Sequence, residues 1–393
     1  MQWLLPEYFA DILPPEAKRL ESLRRKVLDL FASYGFELVM PPLIEYLDSL
    51  LTGSARDLDL KTFKLVDQLS GKMMGLRADI TPQIVRIDSQ LLNDDGITRL
   101  CYCGVVAHTR PSNLKSGREL QQIGAEIYGA SHIDADLAII TLAVKALNAC
   151  AITIDRIDLN HFGIFNALCE MAKIDESLKL QLAKFLRLKD APALFAATDD
   201  FAPTNKNVFR ALLNLYGDSI DVLSRAHAAF DVLKNPTINA ALTDLAWIIQ
   251  KRPDLPFSID LADLVGYYYH TALAFNAFNV NYPNALAHGG RYDGVGKVFK
   301  RARAATGFSM DLRQLVLVAP ELKDSESAEN APIFVEKTED STALQALTKI
   351  LTDWRLQNRV VVEALTDEKI PKNAKRLAWN NGKWQFKNGG EHG

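Results

Sequence analysis

Two carboxylates, Asp79 and Glu126, stand in strand-like, partly buried surroundings: LRADITPQIVR (76 to 86) and QQIGAEIYG (121 to 129). A carboxylate taken out of water needs a cation or a full set of donors. The sequence leaves two sources of positive charge open: an internal pair with Arg77, Arg86 or Arg99, or the ammonium of a bound ligand. Further on, YYYHT (267 to 271) offers three phenols and an imidazole. Strand alternation would put Tyr267, Tyr269 and Thr271 on one face, and Tyr268 and His270 on the other. Such a set either packs with its hydroxyls toward water, or stacks on a planar polar ligand and hydrogen-bonds it.

Other chemistries find little support. GGRYDGVG (289 to 296) lacks the Gly-Lys-Ser/Thr ending of a phosphate loop and the G-x-G-x-x-G order, so its glycines read as allowing close backbone approach beside a pocket. His108, His270 and His288 do not fall at metal-ligand spacing, and no metal or cofactor is expected. Cys101 and Cys103 share a strand face, whereas Cys150 and Cys169 stand alone; all four are expected to be reduced, as in a cytoplasmic protein.

These residues need a scaffold, and the chain is long enough to build one. It has 393 residues, 48% of them hydrophobic, and a net charge of −3, which gives no overall attraction to a polyanion. No apolar run reaches membrane-spanning length and the N-terminus lacks a signal-like pattern, so a cytoplasmic location is expected. An apolar stripe predicts a helix over 15 to 34, and FELVMPP reads as a strand stopped by two prolines. Strands and turns follow from 61 to 129, with a helix at ITPQIVRIDSQLL. A helix over 134 to 149 and a strand at ITIDRIDL come next. Residues 163 to 252 are Ala- and Leu-rich and helical in character, and strands return at LPFSIDLAD and YYYHTALAFNAFNV. GFSMDLRQLVLV (307 to 318) reads as a strand running into a helix. The polar stretch ELKDSESAENAP reads as a linker to a small tail, where Asn380-Asn381-Gly382 favours a tight hairpin.

Taken in order, YGFELVMPPLIE, LRADITPQIVR with the loop to QIGAEIYG, VGYYYHT, GGRYDGVG and GFSMDLRQL resemble the signature segments of histidyl-tRNA synthetases, over roughly residues 5 to 318. The resemblance implies an α+β fold: a class II aminoacyl-tRNA synthetase-like antiparallel sheet flanked by helices. It also implies a core domain over 1–320, with a helical insertion at about 163–252, and a small C-terminal α/β domain over 321–393. The first segment looks like the dimer-forming motif of that class.

The departures are informative. Ala107 and His108 stand where the synthetases carry a Phe-Arg pair, and Arg110 comes two residues later. Val265-Gly266 replaces Arg-Gly, and Gln314 replaces the arginine that holds ATP in the third class II motif. Arg313 is no substitute, because one residue along a helix turns a side chain by about 100°. A charge-assisted hydrogen bond is worth about 1.5–3 kcal/mol, so three lost contacts would total roughly 4.5–9 kcal/mol, or ~10³–10⁶ in rate. Only 73 residues follow Pro320, with 11 Lys and Arg against 12 Asp and Glu, which is no tRNA platform.

HTRPSNLKSGRELQQIGAEIYG and GYYYHT with GGRYDGVGKVFKRARAATGFSMDL are more similar to a non-catalytic branch, the regulatory subunits of ATP phosphoribosyltransferase, the first enzyme of histidine biosynthesis. That resemblance implies no catalytic residue in this chain and no nucleic-acid or membrane partner. The partners it implies are a short-form catalytic subunit in a hetero-oligomer, expected to be a hetero-octamer, and a second copy of the chain through the first motif. L-Histidine is the implied feedback ligand. Asp79, Thr81 and Gln122 would hold its α-amino end, with Glu126, Tyr268, Tyr269 and His270 on the ring side. Val265 and Ala272 depart from that branch, which expects Arg-Gly at 265–266 and glycine at 272. Two other readings stay open: a truncated, active histidyl-tRNA synthetase, and a synthetase paralogue that binds or modifies another target.

Overall fold

The computed structural model describes residues 4–51, 56–92, 94–111, 117–266, 269–293, 301–320, 331–365, 368–371 and 374–387. They form two compact units, Met1–Ala319 and Pro320–Gly393.

The first unit opens with the helix Pro14–Ser33. Proline suits its first turn, Glu16 complements the helix dipole there, and Gly35 at φ +79° takes the left-handed position just past its end. Leu23, Val27 and Phe31 repeat every four residues and are its buried face. The strands follow in chain order: β1 (Glu37–Leu38), β2 (Ile44–Tyr46), β3 (Phe63–Val66), β4 (Met73–Leu76), β5 (Thr98–Ala107), β6 (Glu119–Tyr128), β7 (Arg156–His161), β8 (Tyr216–Asp218), β9 (Phe257–Asp260), β10 (Leu273–Phe278), β11 (Ala287–Arg291) and β12 (Ala305–Asp311). Nine of them make one sheet in the order β1-β5-β6-β12-β11-β10-β7-β9-β8. Its centre is antiparallel, while β1 joins β5 and β7 joins β9 in parallel, so the expected antiparallel sheet is mixed at its flanks. β2, β4 and β3 form a separate small sheet.

The helices Pro14–Ser33, Ile133–Ala149 and Leu312–Val318 pack with one another and on the large sheet. A continuous core of Val27, Phe31, Ile139, Ile157, Phe165 and Phe308, among others, fills the space between. A smaller cluster of Ile80, Ile84, Leu100, Tyr102, Tyr128 and Tyr292 surrounds the Glu126 carboxyl group. The helical insertion runs from Phe162–Met171 to Pro236–Lys251, and Asp175, Asp190, Asp218 and Asn235 cap four of its helices. It is interrupted by β8, which the helical composition of this stretch had hidden and which pairs with β9 at the sheet edge.

Three expectations need correction. FELVMPP is extended for only two residues of strand, because β1 lies at the sheet edge and the prolines end it. Strand β7 begins at Arg156 rather than at Ile152. YYYHT does not begin a strand: β10 starts at Leu273. Gly266, at φ +78°, starts a turn whose carbonyl accepts from both Tyr269 N at 2.7 Å and His270 N at 3.0 Å. The predicted alternation of Tyr269 against His270 therefore does not hold. Tyr267 and Tyr268 lie outside the described residues.

In the second unit β13 (Ile333–Val335), β14 (Val361–Glu363), β15 (Lys375–Asn380) and β16 (Lys383–Phe386) order as β14-β13-β15-β16. The helix Ser341–Leu356 is capped by Asp340 and lays Leu347 and Leu351 on Ile333, Val335, Val361 and Leu377. Asn381 at φ +50° and Gly382 at φ +76° make the two-residue turn between β15 and β16. No helix among the described residues is long and apolar enough to cross a membrane.

Candidate functional site

The first unit holds a cavity of about 620 Å³ beside the central strands of the large sheet. Its floor is built by register. β6 pairs with both β5 and β12, so Glu126 stands opposite Leu100 on one side and Gly307 on the other. A side chain at 307 would overlap the Glu126 carboxylate, so glycine there is what gives the carboxylate its place. Tyr292 Oη donates to Glu126 Oε2 at 2.5 Å, while Tyr102 Oη and Thr81 Oγ1 reach Oε1 at 3.2 and 3.3 Å.

The sequence offered arginines as partners for these acids, and the structure sends two of them, Arg77 and Arg86, elsewhere. Arg77 donates to the carbonyls of Pro41 at 2.7 Å and Val105 at 2.8 Å, and Arg86 pairs with Glu45 at 2.5 Å. No cation among the described residues pairs with Glu126. Burial therefore dominates. It pushes the carboxyl up to about 8, with the charge of Asp79 adding to the rise and the Tyr292 hydroxyl opposing it. Asp79 is positioned separately: Oδ1 accepts from Gln122 Nε2 at 2.8 Å and from Thr81 N at 3.0 Å, and Gln122 Oε1 is anchored by Ile80 N at 2.9 Å.

On the facing side the Tyr269 ring stacks on Tyr292, with centroids 4.7 Å apart, and His270 meets Tyr269 edge-on at 5.4 Å. Tyr269 Oη and His270 Nδ1 are buried with no hydrogen-bond partner among the described residues. Such orphans are costly unless a ligand or water completes them. Burial, with His288 adding, pushes His270 down to about 4, so its imidazole is neutral at pH 7. His288 Nε2 lies 3.1 Å from Ser309 Oγ.

Asp79, Thr81, Gln122, Glu126, Tyr269 and His270 thus line one cavity, while Tyr268 lies outside the described residues. Sequence reasoning did not single out Tyr102 or Tyr292 as partners of Glu126. Tyr102 sits within β5 as a core aromatic and Tyr292 just past the end of β11, and only the fold brings both hydroxyls to the Glu126 carboxyl group.

At the start of the helix Leu312–Val318, Gln314 lines the cavity, and Arg313 turns to Glu119 at 2.5 Å. Five carboxylates besides the protonated Glu126, namely Asp79, Asp158, Asp260, Asp263 and Asp311, face the cavity against two permanent cations, Lys61 and Arg187. That balance suits an ammonium-bearing ligand and disfavours a polyphosphate. No group of three or more metal-ligating side chains occurs among the described residues.

Residues 8–315 match the histidyl-tRNA synthetase family. The chain is 46% identical to the ATP phosphoribosyltransferase regulatory subunit of Ralstonia pickettii (strain 12J) over 391 residues, covering 98% of this chain and 97% of that protein. It is 52% identical to the protein of that name from Paraburkholderia xenovorans (strain LB400) over 318 residues, 81% and 82% of the two chains. In fold it is similar to an ATP phosphoribosyltransferase regulatory subunit/histidyl-tRNA synthetase from Bacillus halodurans C, with a TM-score of 0.82 and 22% identity over 96% and 97% of the two chains. It is also similar in fold to histidyl-tRNA synthetase from Nostoc sp. PCC 7120, with a TM-score of 0.77 and 16% identity over 96% and 92%.

Proposed function

This chain belongs to the ATP phosphoribosyltransferase regulatory subunits, a family on the histidyl-tRNA synthetase fold, and from that membership we propose that its cavity is the sensor for L-histidine. As a regulatory subunit it is a non-catalytic part of the ATP phosphoribosyltransferase complex, and its work is done on a catalytic partner. In our reading that partner is the short-form catalytic subunit, which this chain activates in a cytoplasmic hetero-octamer. The segment around Leu38, Met40, Leu43 and Ile44, which is exposed, pairs two copies of the chain.

The observation that carries the histidine assignment is Glu126: a buried acid held by three hydroxyls, with no cation beside it among the described residues. An imidazole N–H or an ammonium supplies the missing donor. Asp79, held by Gln122 and Thr81, takes the α-amino group, while Glu126, Tyr269 and His270 border the ring. Tyr268 belongs to the ring side by its sequence position alone. Histidine then inhibits by binding the inhibited assembly more tightly than the active one. Aminoacylation is absent in this reading, because Gln314 faces the cavity where the synthetases carry an arginine for ATP.

The test is to mix the full chain with a short-form catalytic subunit and assay phosphoribosyl transfer over a histidine titration, with light scattering to follow assembly. The expected result is activation by the chain and inhibition by histidine. Asp79→Ala should raise the histidine needed for half-inhibition by roughly 10-fold or more, the worth of one charge-assisted contact. An inhibition curve unchanged by Asp79→Ala would remove the ligand assignment, and a catalytic subunit indifferent to the chain would remove the proposed activating role.

A further inference from the structure

A free amino acid carries a carboxylate as well as an ammonium, and the arginines the synthetases carry at the positions of His108 and Val265 have no counterpart there. Among the described lining residues only Lys61 and Arg187 keep a permanent positive charge, which makes them the two groups to weigh as partners of that carboxylate. Lys61 ends the helix Arg56–Lys61. Its backbone is pinned against the residue after His108: Thr109 N donates to the Lys61 carbonyl at 2.9 Å, and Thr109 Oγ1 to the Leu60 carbonyl at 2.6 Å. Its side chain is exposed, and among the described residues its ammonium makes no ion pair or hydrogen bond. His108 donates through Nε2 to the Ala78 carbonyl at 2.9 Å, next to Asp79 in the chain. Lys61 and Asp79 line the same cavity as His108 and His288.

Arg187 is placed differently. It stands two residues before Lys189, which pairs with Asp260 at 2.7 Å, and Asp260 and Asp158 crowd Asp263 in the same part of the cavity. A ligand carboxylate there would meet three like charges.

We propose that Lys61 is the carboxylate-binding residue of the cavity, set against Asp79 so that the pair selects a zwitterionic α-amino acid over the corresponding amine. This rests on the reading that the cavity binds histidine, and goes beyond it by assigning how the free acid is distinguished. Lys61 thereby occupies, from a different element, the chemical position the lost arginines leave open. A lysine does so as a point charge on a flexible stem, adequate to hold a carboxylate without the planar fork that also grips a phosphate.

Calorimetric titration of the full chain with L-histidine and with L-histidinol, in which the carboxylate is a hydroxymethyl group, tests this. The unaltered protein is expected to prefer histidine by roughly 10- to 100-fold, the worth of one charge-assisted contact. Lys61→Met should bring histidine affinity down to that of histidinol and leave histidinol binding unchanged. Arg187→Gln should alter neither. Loss of both ligands alike in Lys61→Met, retention of the preference in that variant, or its disappearance in Arg187→Gln instead, would each overturn the assignment. Binding of neither ligand by the unaltered protein would sink the histidine reading itself, and the Lys61 assignment with it.

Discussion

Glu126 sets burial against charge at a single side chain. Burial first, then the neighbouring Asp79, lift its carboxyl from 4.5 to about 8 in the folded chain. Below the lower value it is protonated whether the chain is folded or not. Between the two values the unfolded chain has given up that proton while the fold retains it. This group's contribution to stability therefore falls as pH rises through that window and is lost above the folded value. Glu126→Gln should flatten the decline: melting temperatures at pH 5.5 and pH 8.5 should lie closer together than in the unaltered chain, and histidine affinity should fall by roughly 10-fold or more. An unchanged pH dependence of melting would mean that the carboxyl is ionised at neutrality after all. Asp79 and Glu126 were visible as chemistry in the sequence because acids are rare in strand-like, apolar stretches. Lys61 was not, since a lysine ending a short helix looks like any surface lysine, and only the Thr109 hydrogen bonds bring its helix to the cavity.

At the level of elements, the helix Ile133–Ala149 is tied to β11 through Asp136 and Arg291, both buried, with Nη2 and Nε at 2.6 and 2.9 Å from one carboxylate oxygen. Arg291→Met should cost about 3–5 kcal/mol in urea denaturation, because it strands a buried carboxylate. Replacing both partners by apolar residues should recover most of that loss. A loss below about 1 kcal/mol for the single change would contradict the geometry. The elements were largely legible where one period ran undisturbed. Leu23, Val27 and Phe31 mark the first helix, and Asn381-Gly382 marks the final hairpin. Legibility failed where a single backbone position overrode the pattern. Gly266 at positive φ begins a turn that leaves Tyr269 and His270 outside strand β10, and three residues of β8 joined the sheet from within a helical stretch. Parallel joins such as β1 to β5 leave no local trace, since they depend on partners 63 residues away, Glu37 against Leu100.

On the scale of the molecule, the cavity adds up to something none of its residues states alone. With five carboxylates besides the protonated Glu126 against Lys61 and Arg187, it disfavours a polyphosphate, consistent with the chain's net charge of −3. Histidine-dependent exchange of pyrophosphate into ATP should therefore be undetectable, and a rate above background would show a nucleotide site where Gln314 faces the cavity. The Arg313–Glu119 pair carries this further. Reinstating an arginine at 314 would set it beside Asp311 and next to a guanidinium already engaged with its own acid, while positions 108 and 265 stayed unsuited to a phosphate. No single one of these changes would restore a nucleotide site, because each would act alone in a cavity still shaped against phosphate.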